Sequence, residues 1–236
     1  MDVLAGAFGL TGRDVVVDLG CGTGQLTLPM ARRVRAAIGL DVEPDMLERA
    51  LQAARDADVH NVTWMLGADT DIPALRRLLG DRSAGAVTIA QALHWMSHQD
   101  LFRAVVPLVR PGGGIAVVTN GTPLWLQDAD WSRTLRAVLE RWLGTTLADA
   151  CGTDEQSQQR YRDDLRAAGY DVLPTAVDYV ADLDIDQLVG SLYSAMGSRI
   201  PAANQRPAFT EQVRAALAPR THISEHVHVA IVAGTC

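Results

Sequence analysis

Three acids, three alternating glycines and one histidine carry the chemistry that can be read from this chain. Asp18 stands two residues before Gly20, the first glycine of the run Gly20-Cys21-Gly22-Thr23-Gly24, and Asp41 and Asp69 end the next two apolar stretches. Glycine lets a backbone take positive φ and come within contact distance of a bound molecule, so a ligand is expected on this turn. The dinucleotide fingerprint needs a further glycine where Gln25 stands, which weighs against a nicotinamide enzyme. His94, in Gln91-Ala92-Leu93-His94-Trp95-Met96, is of the residue type that titrates near pH 6.5, and it can take a proton from an acceptor or orient it. Its alternative is a hydrogen bond to backbone that only shapes a pocket. His222, His226 and His228 share one face of a strand by their even spacing. Metal ligation is one reading of them, but polar alternation on an edge or hairpin strand explains them better, and no metal is expected.

These residues need a scaffold, and the hydrophobic pattern supplies one. The three valines from Val15 to Val17 and Asp18 read as a buried parallel strand running into the glycine turn. After it come a helix over Gln25 to Val34, a strand over Ala36 to Asp41, a helix from Pro44 to about Arg55, and a strand over Val62 to Leu66. The alternation continues with a helix at Ile72 to Leu79, a strand at Ala86 to Ala90, a helix at Gln99 to Val109 and a strand at Ile115 to Thr119. Such alternation specifies an α/β fold, a doubly wound and mostly parallel sheet covered by helices on both faces. Trp131, Leu135, Val138 and Trp142 then form a helical stripe. A helix at Glu155 to Ala168 leads to a strand at Val172 to Val180, and His222 to Val232 alternates as the last strand. Between those two strands run about 40 residues with helices at Asp186 to Met196 and Phe209 to Leu217, and so long a connection in a compact domain usually carries function.

Composition removes several classes of enzyme. All 21 basic residues are arginine, which excludes a lysine base, a Schiff-base lysine and the P-loop lysine. A net charge of −7 and a pI near 5.3 oppose broad attachment to nucleic acid or an anionic membrane. Three cysteines without C-x-x-C spacing indicate neither a disulfide framework nor a zinc site, and a cytoplasmic setting is expected. No apolar run approaches the roughly 20 residues that cross a bilayer.

The acid followed by G-x-G-x-G, with Asp41 and Asp69 after it, resembles the class I S-adenosylmethionine-dependent methyltransferases over the first 120 residues. The stretch around His94 and Trp95 is similar to that of the trans-aconitate and malonyl-carrier-protein types, the type 11 small-molecule group. Pro111 to Gly114 is similar to the L-x-P-G-G turn before the fifth strand of that superfamily. The resemblance implies a seven-stranded Rossmann-like sheet whose last strand is antiparallel. It also implies S-adenosylmethionine as cofactor, with S-adenosylhomocysteine as product, and cofactor contacts from Asp18, Gly20, Cys21, Gly22, Thr23, Gly24, Asp41, Val42, Met46, Asp69 and Gln91. In that assignment Asp18 acts directly or braces the loop, Asp41 accepts from both ribose hydroxyls, Val42 and Met46 pack on adenine, and Asp69 accepts from its amino group. Before the first strand the chain is shorter than in related enzymes, so the cofactor is expected to be less covered.

The whole chain, residues 1–236, is expected to be one methyltransferase domain, with residues 1–120 as the cofactor half. The insertions at residues 121–153 and 182–220 are expected to cap the acceptor, since they leave the carboxyl ends of parallel strands, where open sheets bind ligands. His94 is the candidate catalytic residue, and Trp95, Trp125, Tyr193 and Arg199 are candidates for acceptor contact. The expected reaction is methyl transfer to a small-molecule acceptor in specialised metabolism, with O-methylation of a carboxylate or hydroxyl favoured. Neither nucleic acid nor membrane is expected as a partner, and a homodimer is left open. The competing readings are a non-catalytic cofactor-binding partner domain and an RNA methyltransferase.

Overall fold

The computed structural model describes residues 1–147, 152–195 and 201–236. Their seven strands are β1 (Val15–Leu19), β2 (Ala36–Asp41), β3 (Val62–Leu66), β4 (Ala84–Ala90), β5 (Val109–Asn120), β6 (Asp171–Asp184) and β7 (His222–Thr235). They form one sheet in the order β3-β2-β1-β4-β5-β7-β6. β1 to β5 pair in parallel, with Val17 beside Ile38 on one side and Val87 on the other. β7 runs the other way: Gly112 donates its N–H to the Cys236 carbonyl and Gly121 to that of His228, so its partners retreat as β5 advances. β6, not β7, is the edge strand, so the three histidines lie on the strand next to the edge.

The chain forms two compact units. The first comprises residues 1–119, 155–176 and 230–236. Its helices are α1 (Asp2–Ala7), α2 (Thr27–Ala31), α3 (Pro44–Asp56), α4 (Ile72–Leu79), α5 (His98–Val105) and α7 (Glu155–Ala167). β1 and β4 are buried on both faces because helices cover both. Val17, Leu19, Val87 and Ile89 pack with Leu101, Phe102 and Val105 of α5 and with Tyr161 and Leu165 of α7, while Tyr170 donates its hydroxyl to the Phe102 carbonyl at 3.0 Å. Arg110 on β5 pairs with Asp14 at 2.6 Å and donates to the Phe8 and Gly9 carbonyls, fastening the end of α1.

The second unit comprises residues 120–154 and 177–229 and contains both predicted insertions. α6 (Asp130–Leu143), α8 (Ile185–Ala195) and α9 (Arg206–Leu217) bury Trp131, Leu135, Val138, Leu188, Leu192, Phe209 and Val213 in a separate core. The predicted stripe of α6 is therefore packing. Trp142 and Tyr193 lie against Phe209, at ring separations of 5.3 and 5.8 Å.

Three elements differ most from expectation. α5 ends at Val105, short of the predicted Val109, which instead opens β5. α2 has five residues, not ten: it starts at Thr27 because Pro29 has no N–H to donate back to the Gln25 carbonyl, and it ends at Ala31, where the Arg33 N–H turns to the Met30 carbonyl. Pro111 to Gly114 lies within β5 as a bulge: Ala84 pairs with Val109 but Ala86 with Gly114, so the strand begins well before Ile115.

Candidate functional site

All of the predicted cofactor residues lie in the first unit, at the carboxyl ends of β1 to β4. The three glycines of the turn do three different things. A side chain at Gly20 would collide with Ala92, just past β4, so this glycine lets two loops touch. Gly22 has φ +53° with nothing near its Cβ position, which leaves backbone open to an approaching molecule. At Gly24 a Cβ would stand 2.7 Å from the Trp64 ring, and at Gly39 2.6 Å. Trp64 on β3 thus backs the glycine turn. It was not anticipated, because nothing in its local pattern marks a strand residue that packs beneath a turn 40 positions earlier.

Asp41 sits beside the turn. Its Oδ2 accepts the Gly22 N–H at 2.7 Å and its Oδ1 the Glu43 N–H at 3.0 Å. Two backbone donors pin the carboxylate, and each oxygen keeps a lone pair for a hydroxyl of a diol. Val42, 61% exposed, follows it as an apolar surface, and Met46 is half-buried one turn into α3. Asp69 opens a short 3-10 turn and its Oδ2 accepts the Ser97 N–H at 3.3 Å, joining the loop after β3 to the loop before α5.

Asp18 is only 2% exposed. Thr27 and Thr88 donate their hydroxyls to its two oxygens, each at 2.6 Å, so of the two roles considered for it the geometry is that of a brace. Burial pushes its pKa up to about 6 against the lowering effect of the two hydroxyls. Cys21 is buried with its thiol pKa raised chiefly by desolvation, which makes it an unreactive part of the turn. Thr23 is half-buried.

Gln91, the last of the predicted cofactor contacts, directly follows β4 at φ +57°, an uncommon conformation for a residue with a side chain. His94 and Trp95 follow in a 3-10 turn with ring centroids 4.8 Å apart, and Trp95 is 75% exposed. Trp95 is therefore a surface aromatic and not a core one. Trp125 and Tyr193 belong to the second unit. Trp125 is 6% exposed and its indole N–H has no hydrogen-bond partner, while Tyr193 shares its hydroxyl with the Arg206 carbonyl and Thr210. Arg199 lies outside the described residues. His228 pairs with Asp178 at 2.6 Å, and among the described residues no group of three His, Cys, Asp or Glu side chains is placed to hold a metal. None of the described helices is long and apolar enough to cross a membrane.

A family model described as a methyltransferase domain matches residues 16–113. An uncharacterized methyltransferase of Mycobacterium tuberculosis is 34% identical over 126 residues, covering 53% of this chain and 46% of that protein. A trans-aconitate 2-methyltransferase of the same species is 36% identical over 110 residues, covering 45% of this chain and 37% of that protein. The chain spans about half the length, or less, of these curated relatives. Its fold is similar to that of the YcgJ protein from Bacillus subtilis, with a TM-score of 0.60 at 18% identity over 99% of this chain and 96% of that one. The family match falls on the very strands and turns that gather the glycines and their acids, so that over residues 16–113 the chain is similar to a methyltransferase domain.

Proposed function

We propose that this protein transfers a methyl group from S-adenosylmethionine to the oxygen of a small-molecule acceptor, a carboxylate or a hydroxyl, in specialised metabolism. The observation that carries the reading is the pairing of Asp41 with the Gly22 amide at 2.7 Å, which sets a diol-accepting carboxylate against the open backbone of the glycine turn. The amides of the turn suit the carboxylate of the cofactor's methionine end, Asp41 its ribose, Val42 and Met46 the faces of its adenine and Asp69 the adenine amino group. S-adenosylmethionine supplies an activated methyl group on a sulfonium, so the chain's own task is to orient an acceptor and exclude water. His94 orients a carboxylate acceptor or takes the proton of a hydroxyl one. Trp95 offers an aromatic face to positive charge. The relative named as a trans-aconitate 2-methyltransferase supports the carboxylate choice, and the net charge of −7 supports a small acceptor over a nucleic acid.

Calorimetric titration with S-adenosylmethionine and S-adenosylhomocysteine tests the cofactor, and a product assay over carboxylates, phenols and amines tests the acceptor. Binding with formation of S-adenosylhomocysteine and a methyl ester or ether is expected. Binding with no turnover on any acceptor would favour a non-catalytic partner domain, and absence of binding would overturn the reading of the turn.

A further inference from the structure

Asp18 is a buried acid whose two oxygens are held by hydroxyls from two different elements. Thr27 begins α2, directly after the glycine turn, and Thr88 lies in the middle of β4; both are fully buried, and each donates at 2.6 Å. We propose that Thr88 is a positioning residue for cofactor binding, which by donating to Asp18 keeps that side chain an anion beneath the glycine turn. The inference rests on the turn's being the cofactor cradle.

The physical argument concerns what a buried carboxylate needs. A hydroxyl donated to each oxygen favours the ionised form, whereas desolvation opposes it, and at Asp18 desolvation is the larger effect, leaving the pKa near 6. The groups facing Asp18 offer little else. β2 contributes Asp41, whose negative charge opposes ionisation; the turn contributes the buried Cys21 thiol; α2 and β4 contribute the two hydroxyls. No cation acts on it among the described residues, so the anion stands on two hydroxyl donors. The methionine end of the cofactor carries an ammonium and a sulfonium, and an uncompensated anion nearby attracts both through a medium of low dielectric. Protonated, Asp18 loses that attraction. It must also donate a proton where it previously accepted two, so one threonine hydroxyl must turn from donor to acceptor and the brace is rearranged. Cofactor affinity should then follow the ionised fraction of Asp18.

The test is the affinity for S-adenosylmethionine from pH 5 to 9, measured by calorimetry on the full chain and on Thr88→Val and Thr88→Ser, with thermal unfolding followed in parallel. In the wild-type chain affinity is expected to be flat at high pH and to fall as pH drops through about 6. Thr88→Val removes one donor at nearly constant volume, and the fall should begin about one pH unit higher or more. Thr88→Ser, which keeps the hydroxyl, should restore the wild-type profile, an outcome that a purely volumetric role would not give. Should Thr88→Val not fold, Thr88→Cys, a weak donor of similar size, reads the same displacement. A folded Thr88→Val with wild-type affinity and an unmoved profile would overturn the proposal while leaving the cradle intact. Wild-type protein that binds no cofactor at any pH would overturn the cradle itself, and the inference with it.

Discussion

Asp41 and Asp18 are both strand-ending acids, yet they are held in opposite ways. Asp41 is half-buried and pinned by backbone amides with lone pairs to spare, whereas Asp18 is enclosed and spends both oxygens on hydroxyls. The first geometry leaves acceptor capacity for a ligand and the second does not. Asp41→Ala should therefore weaken cofactor binding about 10- to 100-fold, since hydrogen bonds to a charged group contribute about 1.5–3 kcal/mol. Calorimetry checks this, and unchanged affinity would remove the ribose role. His94 is separable from both. If it takes a proton, His94→Ala should lower turnover about 10²- to 10⁴-fold with cofactor affinity intact. Turnover equal to wild type on the cognate acceptor would reduce it to a residue that shapes the pocket.

Among the elements, β3 is the one whose importance is least visible locally. Trp64 fills the space beside Gly24 and Gly39, so that strand and the glycine turn specify each other. Trp64→Ala should cost about 2–3 kcal/mol, less than a fully enclosed tryptophan because the ring is partly exposed. Gly24→Ala should be destabilising by itself through its φ of +82° and its collision with the ring. The collision disappears once the ring is gone. A double-mutant cycle by denaturant unfolding should thus find Gly24→Ala milder in the Trp64→Ala background, and strict additivity would show that Trp64 does not constrain the turn. The same case shows what a sequence can disclose. β2, β3 and α4 have the predicted bounds, because their apolar periodicity is local and capped by Pro44, Gly67 and Gly80. The acids and glycines were legible because their order along the chain reflects one turn per strand. Trp64, the two threonines on Asp18 and the bulge in β5 were not, since each depends on a partner brought close only by the assembled sheet. The late start of α2 was within reach, because Pro29 stood in the sequence as a missing donor.

At the scale of the whole molecule, a buried acid with a raised pKa makes stability depend on pH, and the sign can be worked out. Asp18 has a folded pKa near 6 against a reference value of 3.8, so between those values the native state holds a proton that the unfolded chain has released. Stability contributed by that proton is complete below about pH 4, is lost as pH rises to about 6, and stays lost above it. The full swing is about 3 kcal/mol, at 1.36 kcal/mol per pKa unit. The many exposed carboxylates of an acidic chain titrate over an overlapping range and obscure this in the wild-type curve alone. A difference isolates it: Asp18→Asn keeps an acceptor oxygen and the shape of the side chain but has no charge to bury, and every other carboxylate remains in both proteins. The stability of Asp18→Asn relative to wild type, from denaturant unfolding at closely spaced pH, should therefore rise between pH 4 and 6 and level off above. A flat difference across that interval would mean that Asp18 is ionised throughout, with its two hydroxyl donors outweighing burial. The cofactor changes the balance in a known direction, because a cation bound near the anion favours the ionised form. Saturating S-adenosylmethionine should therefore lower the upper end of the interval and shrink the swing, leaving the end near pH 4 where the unfolded chain sets it, which links the brace under the turn to the ligand above it through a single titration.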